Sequence, residues 1–570
     1  MVMADTVFIN GKIATVDQNF SFKRALAIKN GYIIATGEDS DVLVYAGSGT
    51  RTIDLGGRTV LPGINDSHVH VGEFMAARGC VNLNRDRIKC VKDMQAALAD
   101  AAKKTPRGNW IRGNSLDPNA IEECVNEGRL LNRFDIDPVT QETPVVIESF
   151  DGHFGLANSK ALELAGITKD TPDPLGGRFE RDENGEPTGA LHDHSAFTLL
   201  FKKVPKLSKD DIKEFIVEGH KILNSMGYTS YTEAVAGPGF ANRGIGATGL
   251  HPIEAFRELE EEGRLTCRVS IGFFPGVDGQ QTYEYVLNDL DTFPFPKYKD
   301  PKWVDIHMVK LFCDGVHMDH TAWMKSDYVD APGNHGRSCF GGADASDEEQ
   351  AAELRRIVKL AHDRGYQIGI HAIGDRSVSE GIDAFVEAML ENPRPDPRHY
   401  IIHGDSLGDR EDFHKAAKYN IGLSCQSNLF EYLVEPTARV VGDVKAEMFM
   451  GIRDIMDMGV WVANGSDTAN GDYVDWLRAI QACVTRRSRI SGKVYRPDLA
   501  VTVEQAVRSF TINGAYQEFA ESYRGSLEPN KVADLIVLDR DIFTIDKEKI
   551  SDIKVDMTMI EGKIVYNRVL

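Results

Sequence analysis

The chain has 570 residues, of which 42% are hydrophobic, and it carries a formal net charge of -21. This acidic excess argues against a nucleic-acid or anionic-membrane partner, because both are themselves negatively charged. The length exceeds that of one ordinary core, but one large barrel and a smaller domain would account for it.

Short strands separated by turn pairs are predicted at both ends of the chain. Asn30-Gly31 is typical of these turns, since both residue types tolerate a positive φ. Neither end has enough strands to be stable alone. We therefore expect residues 1–61 and 516–570 to form one small composite β domain, a β-sandwich, with the rest of the chain inserted between its halves.

Residues 62–515 alternate strand and helix patterns, which predicts a parallel α/β fold. Eight strand candidates lie at residues 60–70, 229–233, 268–274, 307–312, 367–371, 399–403, 421–425 and 460–464. Eight strands with polar residues at their ends favour a closed (β/α)8 TIM barrel over an open sheet. Residues 72–225 interrupt the alternation after the first strand, and we expect this insertion to cover the barrel mouth as a lid.

The cysteines and the N-terminal residues indicate a cytoplasmic protein. The eight cysteines are scattered with no CxxC pair, so a reducing location is the simpler interpretation. The first residues lack a basic region followed by an apolar one, so no signal peptide is predicted. No apolar run approaches the roughly 20 residues of a membrane span.

His68 and His70 are the most informative residues of the chain. Separated by one residue on a strand, their side chains point to the same face, where two imidazoles can bind one metal ion. Four more ligand-type residues follow, at or near the ends of later apolar runs: Lys310, His371, His403 and Asp467. Such an ordered set indicates a metal-dependent hydrolase.

Lys310 is the unusual member of this set, because an ammonium group cannot bind a metal ion. A neutral lysine amine reacts with carbon dioxide to give a carbamate, which acts as a bridging carboxylate. Lys310 lies between apolar residues in the middle of its strand, and burial lowers the pKa of a lysine. Burial would therefore make carboxylation of Lys310 feasible.

The motifs around these residues resemble the amidohydrolase superfamily. They are Leu61-Pro-Gly-Ile-Asn-Asp-Ser-His-Val-His70, Val309-Lys-Leu-Phe-Cys-Asp-Gly315, His371-Ala-Ile-Gly-Asp375, His403 and Gly465-Ser-Asp467. Within the superfamily, Gly152-His-Phe-Gly-Leu-Ala-Asn-Ser-Lys-Ala-Leu-Glu-Leu-Ala-Gly166 and Asn184-Gly-Glu-Pro-Thr-Gly-Ala-Leu191 are similar to the YtcJ-like branch, amidohydrolase family 3. This branch includes N-substituted formamide deformylases, and the resemblance covers essentially the whole chain.

The resemblance implies a binuclear site holding two divalent ions, with zinc as the expected metal and a single ion as the alternative. His68, His70 and Asp467 would hold one ion, His371 and His403 the other, and carboxylated Lys310 would bridge them. A metal-bound hydroxide would attack the substrate carbonyl, with Asp467 as general base and then general acid. The expected substrate is a small linear N-acyl or N-formyl amide, cleaved at a carbon–nitrogen bond other than a peptide bond.

Four residues are candidate substrate contacts: His153, His192, His317 and Trp323. His192 belongs to a second His-x-His pair that no apolar strand precedes, so a turn in the lid is the simpler interpretation there. Aromatic residues near the predicted strand ends suggest an aromatic or apolar group on the substrate: Phe240, Phe274, Phe430, Tyr432 and Trp476.

The sequence leaves other functions open. The same site could run cyclic amide hydrolysis, deamination, C–O hydrolysis or isomerisation, since a fold does not fix a reaction. A non-catalytic binding protein on the same barrel is a remote alternative, because all six ligand positions are filled. A homo-oligomer is also an open alternative, because symmetric homo-oligomers are common among soluble proteins.

Overall fold

Eight parallel strands form the central sheet of the computed structural model, which describes residues 2–106, 108–149, 152–174, 177–241, 243–342, 344–404, 408–468 and 474–568. The strands are adjacent in chain order. They are Ile64–Val69, Tyr228–Ala236, Arg268–Phe273, Val304–Phe312, Gln367–His371, Tyr400–Ile402, Gly422–Cys425 and Val462–Asn464. Each overlaps one predicted strand, so the predicted barrel is confirmed.

Helices connect most of the barrel strands and pack around them. Those that follow the successive strands are Lys209–Ser225, His251–Glu261, Tyr283–Thr292, Asp347–Asp363, Asp375–Glu391, Arg410–Lys418, Phe430–Val441 and Trp476–Thr485. The remaining helices outside the insertion are Asp39–Leu43, Val71–Ala77, Asp443–Ala446, Ile452–Asp457, Val503–Ser509 and Ile512–Gln517. Among the described residues, no helix is both long and apolar enough to cross a membrane.

The first predicted strand, over residues 60–70, is two strands in the structure. Thr59–Pro62 belongs to a sheet built from the chain ends, and Ile64–Val69 begins the barrel. The chain passes from one sheet to the other at Gly63. A Cβ atom at this position would lie 2.2 Å from Oγ1 of Thr229, so the close approach of the second barrel strand requires glycine.

Strands from both ends of the chain share one sheet. In order, it contains Lys563–Asn567, Val555–Ile560, Leu535–Leu538, Thr59–Pro62, Lys12–Ala14 and Phe22–Lys23. A second sheet contains Tyr32–Gly37, Ala25–Lys29, Thr6–Ile9 and Arg51–Asp54. Residues from both ends, including Phe8, Leu26, Val60, Leu535 and Met559, pack into one core. The exact domain boundaries stay a prediction.

The insertion after the first barrel strand contains a six-stranded mixed sheet that the sequence patterns did not reveal. Its strands, in order, are Arg178–Arg181, Pro187–His192, Phe154–Ala157, Val145–Ser149, Ile111–Leu116 and Val81–Asn82. Its helices are Val91–Ala102, Glu122–Glu127, Ser159–Ala165 and Asp193–Phe201. Leu98, Ile147 and Leu156 belong to a core of its own. The insertion is therefore a folded unit.

Replacing Gly63 with alanine should destabilise the protein, because the new methyl group would overlap the side chain of Thr229. Overpacking of this kind costs about 1–3 kcal/mol, which thermal unfolding would register as a lower midpoint. Gly49→Ala is the matched control, since a Cβ there meets nothing within 4 Å. Equal midpoints for the two variants would contradict the steric argument.

Candidate metal centre

Asp467 and the two histidines of the first barrel strand meet at the C-terminal mouth of the barrel. The Nε2 atoms of His68 and His70 each lie 3.2 Å from Oδ1 of Asp467. Candidate ligand atoms of the three residues all lie within 4.8 Å of one another. Because bonds from zinc to nitrogen and oxygen are about 2 Å long, ligand atoms around one ion stand roughly 3–4 Å apart. The cluster therefore fits a single ion.

His403 and His371 extend this cluster along the mouth. Nε2 of His403 lies 3.9 Å from Oδ2 of Asp467. The ring centres of His371 and His403 are 4.6 Å apart. His371 ends the fifth barrel strand and His403 directly follows the sixth, so neighbouring strands place both imidazoles side by side. Together with Lys310, the structure brings all six predicted ligands to one region.

Lys310 is buried in the fourth barrel strand, and among the described residues its Nζ has no hydrogen-bond partner. Burial lowers the pKa of Lys310 to about 7, against an opposing effect of Asp467. Burial is the largest cause that lowers the pKa of His68, His371 and His403. The positive charge of Lys310 lowers these pKa values further. Lys310 thus lies within electrostatic reach of both groups of histidines, with an amine that is easily deprotonated.

The protonation states of the cluster suit metal binding. Burial lowers the pKa of His68 and His371 well below its ordinary value, and that of His403 to about 4. Burial alone would raise the pKa of Asp467, but the neighbouring His403, His68 and His70 lower it well below its ordinary value. Neutral imidazoles and an ionised carboxylate are the forms that bind metal ions.

Two of the six residues have a left-handed backbone. The φ angle is 68° at His403 and 52° at Asp467. For non-glycine residues this conformation is uncommon and costs about 1–3 kcal/mol when the surroundings impose it. A hydrogen bond from the His403 amide to the carbonyl of Ser424, 3.0 Å long, helps to hold the first of them. Both side chains are thereby aimed at the cluster.

Hydrogen bonds join the first barrel strand to the residues that directly follow the eighth, and so connect the two ends of the sheet at the cluster. The Asp467 amide donates to the carbonyl of His68 at 2.8 Å. Oδ1 of Asp66 accepts from the amides of Ser466, at 2.9 Å, and His68, at 3.1 Å. A Cβ on Gly465 would lie 2.6 Å from the His68 nitrogen. We call this set of contacts the barrel seam.

Asp66 and a second buried carboxylate, Asp314, are structural residues that sequence reasoning missed. Asp314 accepts hydrogen bonds from the amides of Trp323, Ile373 and Gly374 at 2.8–3.0 Å and from the hydroxyl of Ser377 at 2.6 Å. It thereby ties the loop after Lys310 to the loop after His371. Their signal in the sequence is an acidic residue within or directly after an apolar strand.

His153 and His192 lie on the insertion, and the structure places them differently. Nδ1 of His153 is 2.7 Å from Oδ1 of Asp193, and its ring centre is 5.6 Å from that of His371. His192 is buried, with its Nε2 3.2 Å from the carboxylate of Glu180. His153 therefore lies beside the predicted ligand His371, whereas His192 ends a buried strand, not the expected turn, and lines the cavity described below.

Trp323, a predicted substrate contact, is not exposed at the barrel mouth. Its side chain is fully buried in the main core, and its indole N–H donates to Asp347 at 3.1 Å. The backbone contact with Asp314 turns this loop inward, so a substrate contact is not available to Trp323 in this conformation. His317 is also buried, and its Nε2 has no hydrogen-bond partner among the described residues.

Aromatic side chains line one flank of the cluster. The ring of Phe312 stacks on His371 with centres 4.0 Å apart. Phe240 and Phe274 were both predicted near the pocket. Their ring centres are 4.2 Å apart, and each is 6.4 Å from the ring centre of Phe312. Trp476, by contrast, is buried in the core. Three phenylalanines thus pack into one buried cluster, and Phe312 brings it into contact with His371.

A cavity of about 430 Å³ opens beside the cluster, between the insertion and the loop that follows Lys310. His192 and Asp193 line it from the insertion, and Gly315, Thr321 and Arg337 line it from the barrel. The carbonyl oxygen of Gly315 is also 3.5 Å from Nε2 of His371. Gly315 thus lies between the cavity and His371, and the cavity has room for a small molecule.

The barrel and its cluster of ligands define a class, and comparison with known proteins gives the family. The chain belongs to the amidohydrolase family, whose model matches residues 51–566. As a member of this family it is a metal-dependent hydrolase of the amidohydrolase type. The resemblance noted in the sequence is thus confirmed.

Individual relatives are similar over nearly the whole chain. YtcJ of Bacillus subtilis is 27% identical over 99% of this chain and 99% of its own. N-substituted formamide deformylase of Arthrobacter pascens is 26% identical over the same shares. The crystal structure of an uncharacterized metal-dependent hydrolase from Pyrococcus horikoshii has the same fold, with a TM-score of 0.71 at 23% identity over 95% of this chain and 99% of that one.

Proposed function

We propose that this protein hydrolyses the carbon–nitrogen bond of a linear N-acyl or N-formyl amide other than a peptide. The observation that carries the proposal is the cluster of His68, His70 and Asp467 at a barrel mouth, with Lys310 buried nearby. The name of the Arthrobacter pascens relative, N-substituted formamide deformylase, supports an amide as the substrate class. The phenylalanines and the adjoining cavity would accommodate its two substituents.

The donor set fits two zinc ions. His68, His70 and Asp467 would hold one, His371 and His403 the other, and a carbamate on Lys310 would bridge them. Among the described residues the buried Nζ of Lys310 has no hydrogen-bond partner, which supports this assignment, because a buried amine without a hydrogen bond is costly unless it has another role. Bound metal ions would supply Lewis acidity and a water of lowered pKa.

Asp467 is the proposed proton carrier. Its carboxylate is ionised and lies next to both groups of histidines. It would accept a proton from the attacking water and pass it to the leaving nitrogen, which must be protonated before an amine can depart. The fixed backbone of the barrel seam would keep Oδ1 and Oδ2 directed at the cluster during both transfers.

A substrate panel tests the proposed reaction. N-Benzylformamide and N-acetylbenzylamine serve as linear amides, and hydantoin serves as a cyclic amide. Adenine tests for deamination, and phenyl acetate tests for C–O hydrolysis. Release of benzylamine from the linear amides is the expected result. Exclusive ring opening, ammonia release or ester cleavage would replace the proposal with one of the other reactions, and no turnover of any compound by the metal-loaded enzyme would contradict it.

Asp467→Asn should retain the fold and lose activity by about 10²–10⁴-fold, because an amide cannot carry the proton. Asp457→Asn is a suitable control, since that carboxylate pairs with Arg453 on the surface. Elemental analysis of both variants separates loss of the proton carrier from loss of metal. More than a tenth of the wild-type rate in a fully loaded Asp467→Asn enzyme would remove Asp467 from this role.

Zinc uptake by chelator-treated protein should rise from pH 6 to pH 8 at a fixed partial pressure of carbon dioxide. His68, His371 and His403 are already neutral at pH 6, because burial lowers their pKa. Lys310, with a pKa of about 7, changes from mostly ammonium to mostly neutral amine over this interval. About two ions per chain are expected at pH 8. Wild-type zinc uptake should also increase with the partial pressure of carbon dioxide, and Lys310→Met should abolish that increase. Wild-type uptake that does not respond to carbon dioxide would contradict carboxylation.

A further inference from the structure

A second cavity, of about 400 Å³, lies among the helices that follow the seventh and eighth barrel strands. The helices Phe430–Val441 and Trp476–Thr485, residues 487–489 and the short 3₁₀ helix Lys547–Asp552 supply its walls. None of the six predicted metal ligands, all of which the structure describes, lines it. We call it the outer cavity, and it is separate from the metal centre.

Charged groups of both signs line the outer cavity. They are Arg478, Arg487, Arg489, Glu431, Asp475 and Glu548. Two opposite pairs neutralise each other, because Nε of Arg478 lies 2.9 Å from Oε2 of Glu431 and Nε of Arg487 lies 2.9 Å from Oε1 of Glu548. The carboxylate of Asp475 and the guanidinium of Arg489 remain without an ion pair among the described residues. The cavity thus has one uncompensated charge of each sign.

Asp475 has an anionic side chain that the protein compensates only in part. It is the N-cap of the helix Trp476–Thr485, and its Oδ1 accepts a hydrogen bond from the amide of Arg478 at 3.1 Å. Burial raises the pKa of Asp475 and that of Glu431, because the ionised forms lose hydration that their surroundings do not fully replace. A bound cationic group would supply the missing compensation.

Arg489 supplies the uncompensated cation. Its Nη1 donates to the hydroxyl of Tyr432, and its guanidinium lies 5.6 Å from the centre of that ring. Arg478 donates to the same hydroxyl, so Tyr432 holds both guanidinium groups beside the cavity. A guanidinium has five N–H donors, and a carboxylate can accept two of them at once. Arg489 therefore has donors left for a carboxylate while Tyr432 fixes its position.

The combination of these groups selects the charge of a ligand. A simple anion would be repelled by the carboxylates of Asp475 and Glu431, and a simple cation would be repelled by the guanidinium groups. A zwitterion satisfies both residues and leaves the net charge unchanged. Gln481 and Thr485 add polar groups to the wall, and the volume falls within the range of small-molecule sites. The outer cavity therefore fits a small, polar zwitterion.

We propose that the outer cavity binds a free α-amino acid, with the ammonium group on Asp475 and the carboxylate group on Arg489. The inference concerns a ligand site outside the barrel mouth, and it does not depend on the reaction proposed for the metal centre. It assigns both residues a binding role and no role in catalysis.

A thermal-shift screen of the metal-loaded enzyme against the standard amino acids, each at about 10 mM, is the first test. At least one should raise the unfolding midpoint, because a ligand that binds only the folded state stabilises it. An equimolar mixture of acetate and methylammonium should give no shift, since it carries the same charges without the covalent link between them. No shift from any amino acid, or an equal shift from the mixture or from acetate alone, would overturn the proposal.

Isothermal titration calorimetry with the amino acid that gives the largest shift locates the site. Asp475→Asn removes the negative charge but keeps the helix cap, because asparagine is an equally good N-cap residue. Arg489→Gln removes the positive charge but keeps a donor for Tyr432. Each variant should weaken the Kd by at least about tenfold, the effect of one charge-assisted hydrogen bond. Because Arg489 is exposed, its variant tests the site even where Asp475→Asn is unstable.

Asp457→Asn and Arg453→Gln are the matched controls, because these two residues pair with each other on the surface at 2.8 Å. Both should bind the amino acid with the wild-type Kd. Amino acids also bind metal ions, so an unchanged Kd in Asp475→Asn and Arg489→Gln would assign the thermal shift to the metal centre and overturn the proposal. Elemental analysis should find the wild-type metal content in both cavity variants. Weaker binding that accompanies a loss of metal would contradict a separate site.

Discussion

The barrel seam is the contact on which the metal cluster depends. A closed barrel must join its last strand to its first, and here the joining residues are the neighbours of the ligands or the ligands themselves. The amide of Asp467 is bonded to the carbonyl of His68, so the two side chains cannot separate without opening the barrel. The carboxylate of Asp66 accepts hydrogen bonds from the amide of His68 in the first strand and from the amide of Ser466 after the eighth strand. Closure of the fold and assembly of the cluster are therefore one event.

Burial gives the cluster its chemical character. Imidazoles and an amine removed from water lose protons readily, and they then present lone pairs instead of positive charges. Nζ of Lys310 lacks a hydrogen-bond partner among the described residues, although such a buried group costs about 1–3 kcal/mol. Groups arranged in this way are destabilising as structure and useful as ligands. Stability is thus lower at the point where binding is to occur.

Much of the barrel and the cluster could be predicted from the sequence, because both follow from strand periodicity. Parallel strands bring their C-terminal ends to one mouth, so His371, His403 and Asp467 could be grouped without knowledge of any contact. The left-handed backbones of His403 and Asp467 could not be foreseen, since tertiary hydrogen bonds impose them. Trp323 shows where strand periodicity is not enough. Its position after a strand suggested a substrate contact, but its amide donates to Asp314 and its side chain is buried in the core.

The insertion was the least predictable part of the molecule. His153 and Asp193 are 40 positions apart, and the sheet that aligns them has short strands separated by polar turns. Pairing between such distant segments leaves no local pattern in the sequence. A histidine beside an aspartate in space can therefore be as informative as a His-x-His motif, yet it becomes visible only after folding.

The joining of the two chain ends has a consequence for synthesis. Lys12 and Asp541 form a salt bridge across 529 positions, and Thr59–Pro62 pairs with Leu535–Leu538. During translation Thr59–Pro62 must wait for most of the polypeptide before Leu535–Leu538 emerges, whereas the four strands of the second sheet pair among themselves. The barrel, whose strands pair with near neighbours in the chain, can form first. Thr59–Pro62 is then among the last segments to reach all of its native contacts, and one of its edges stays unpaired in the interval.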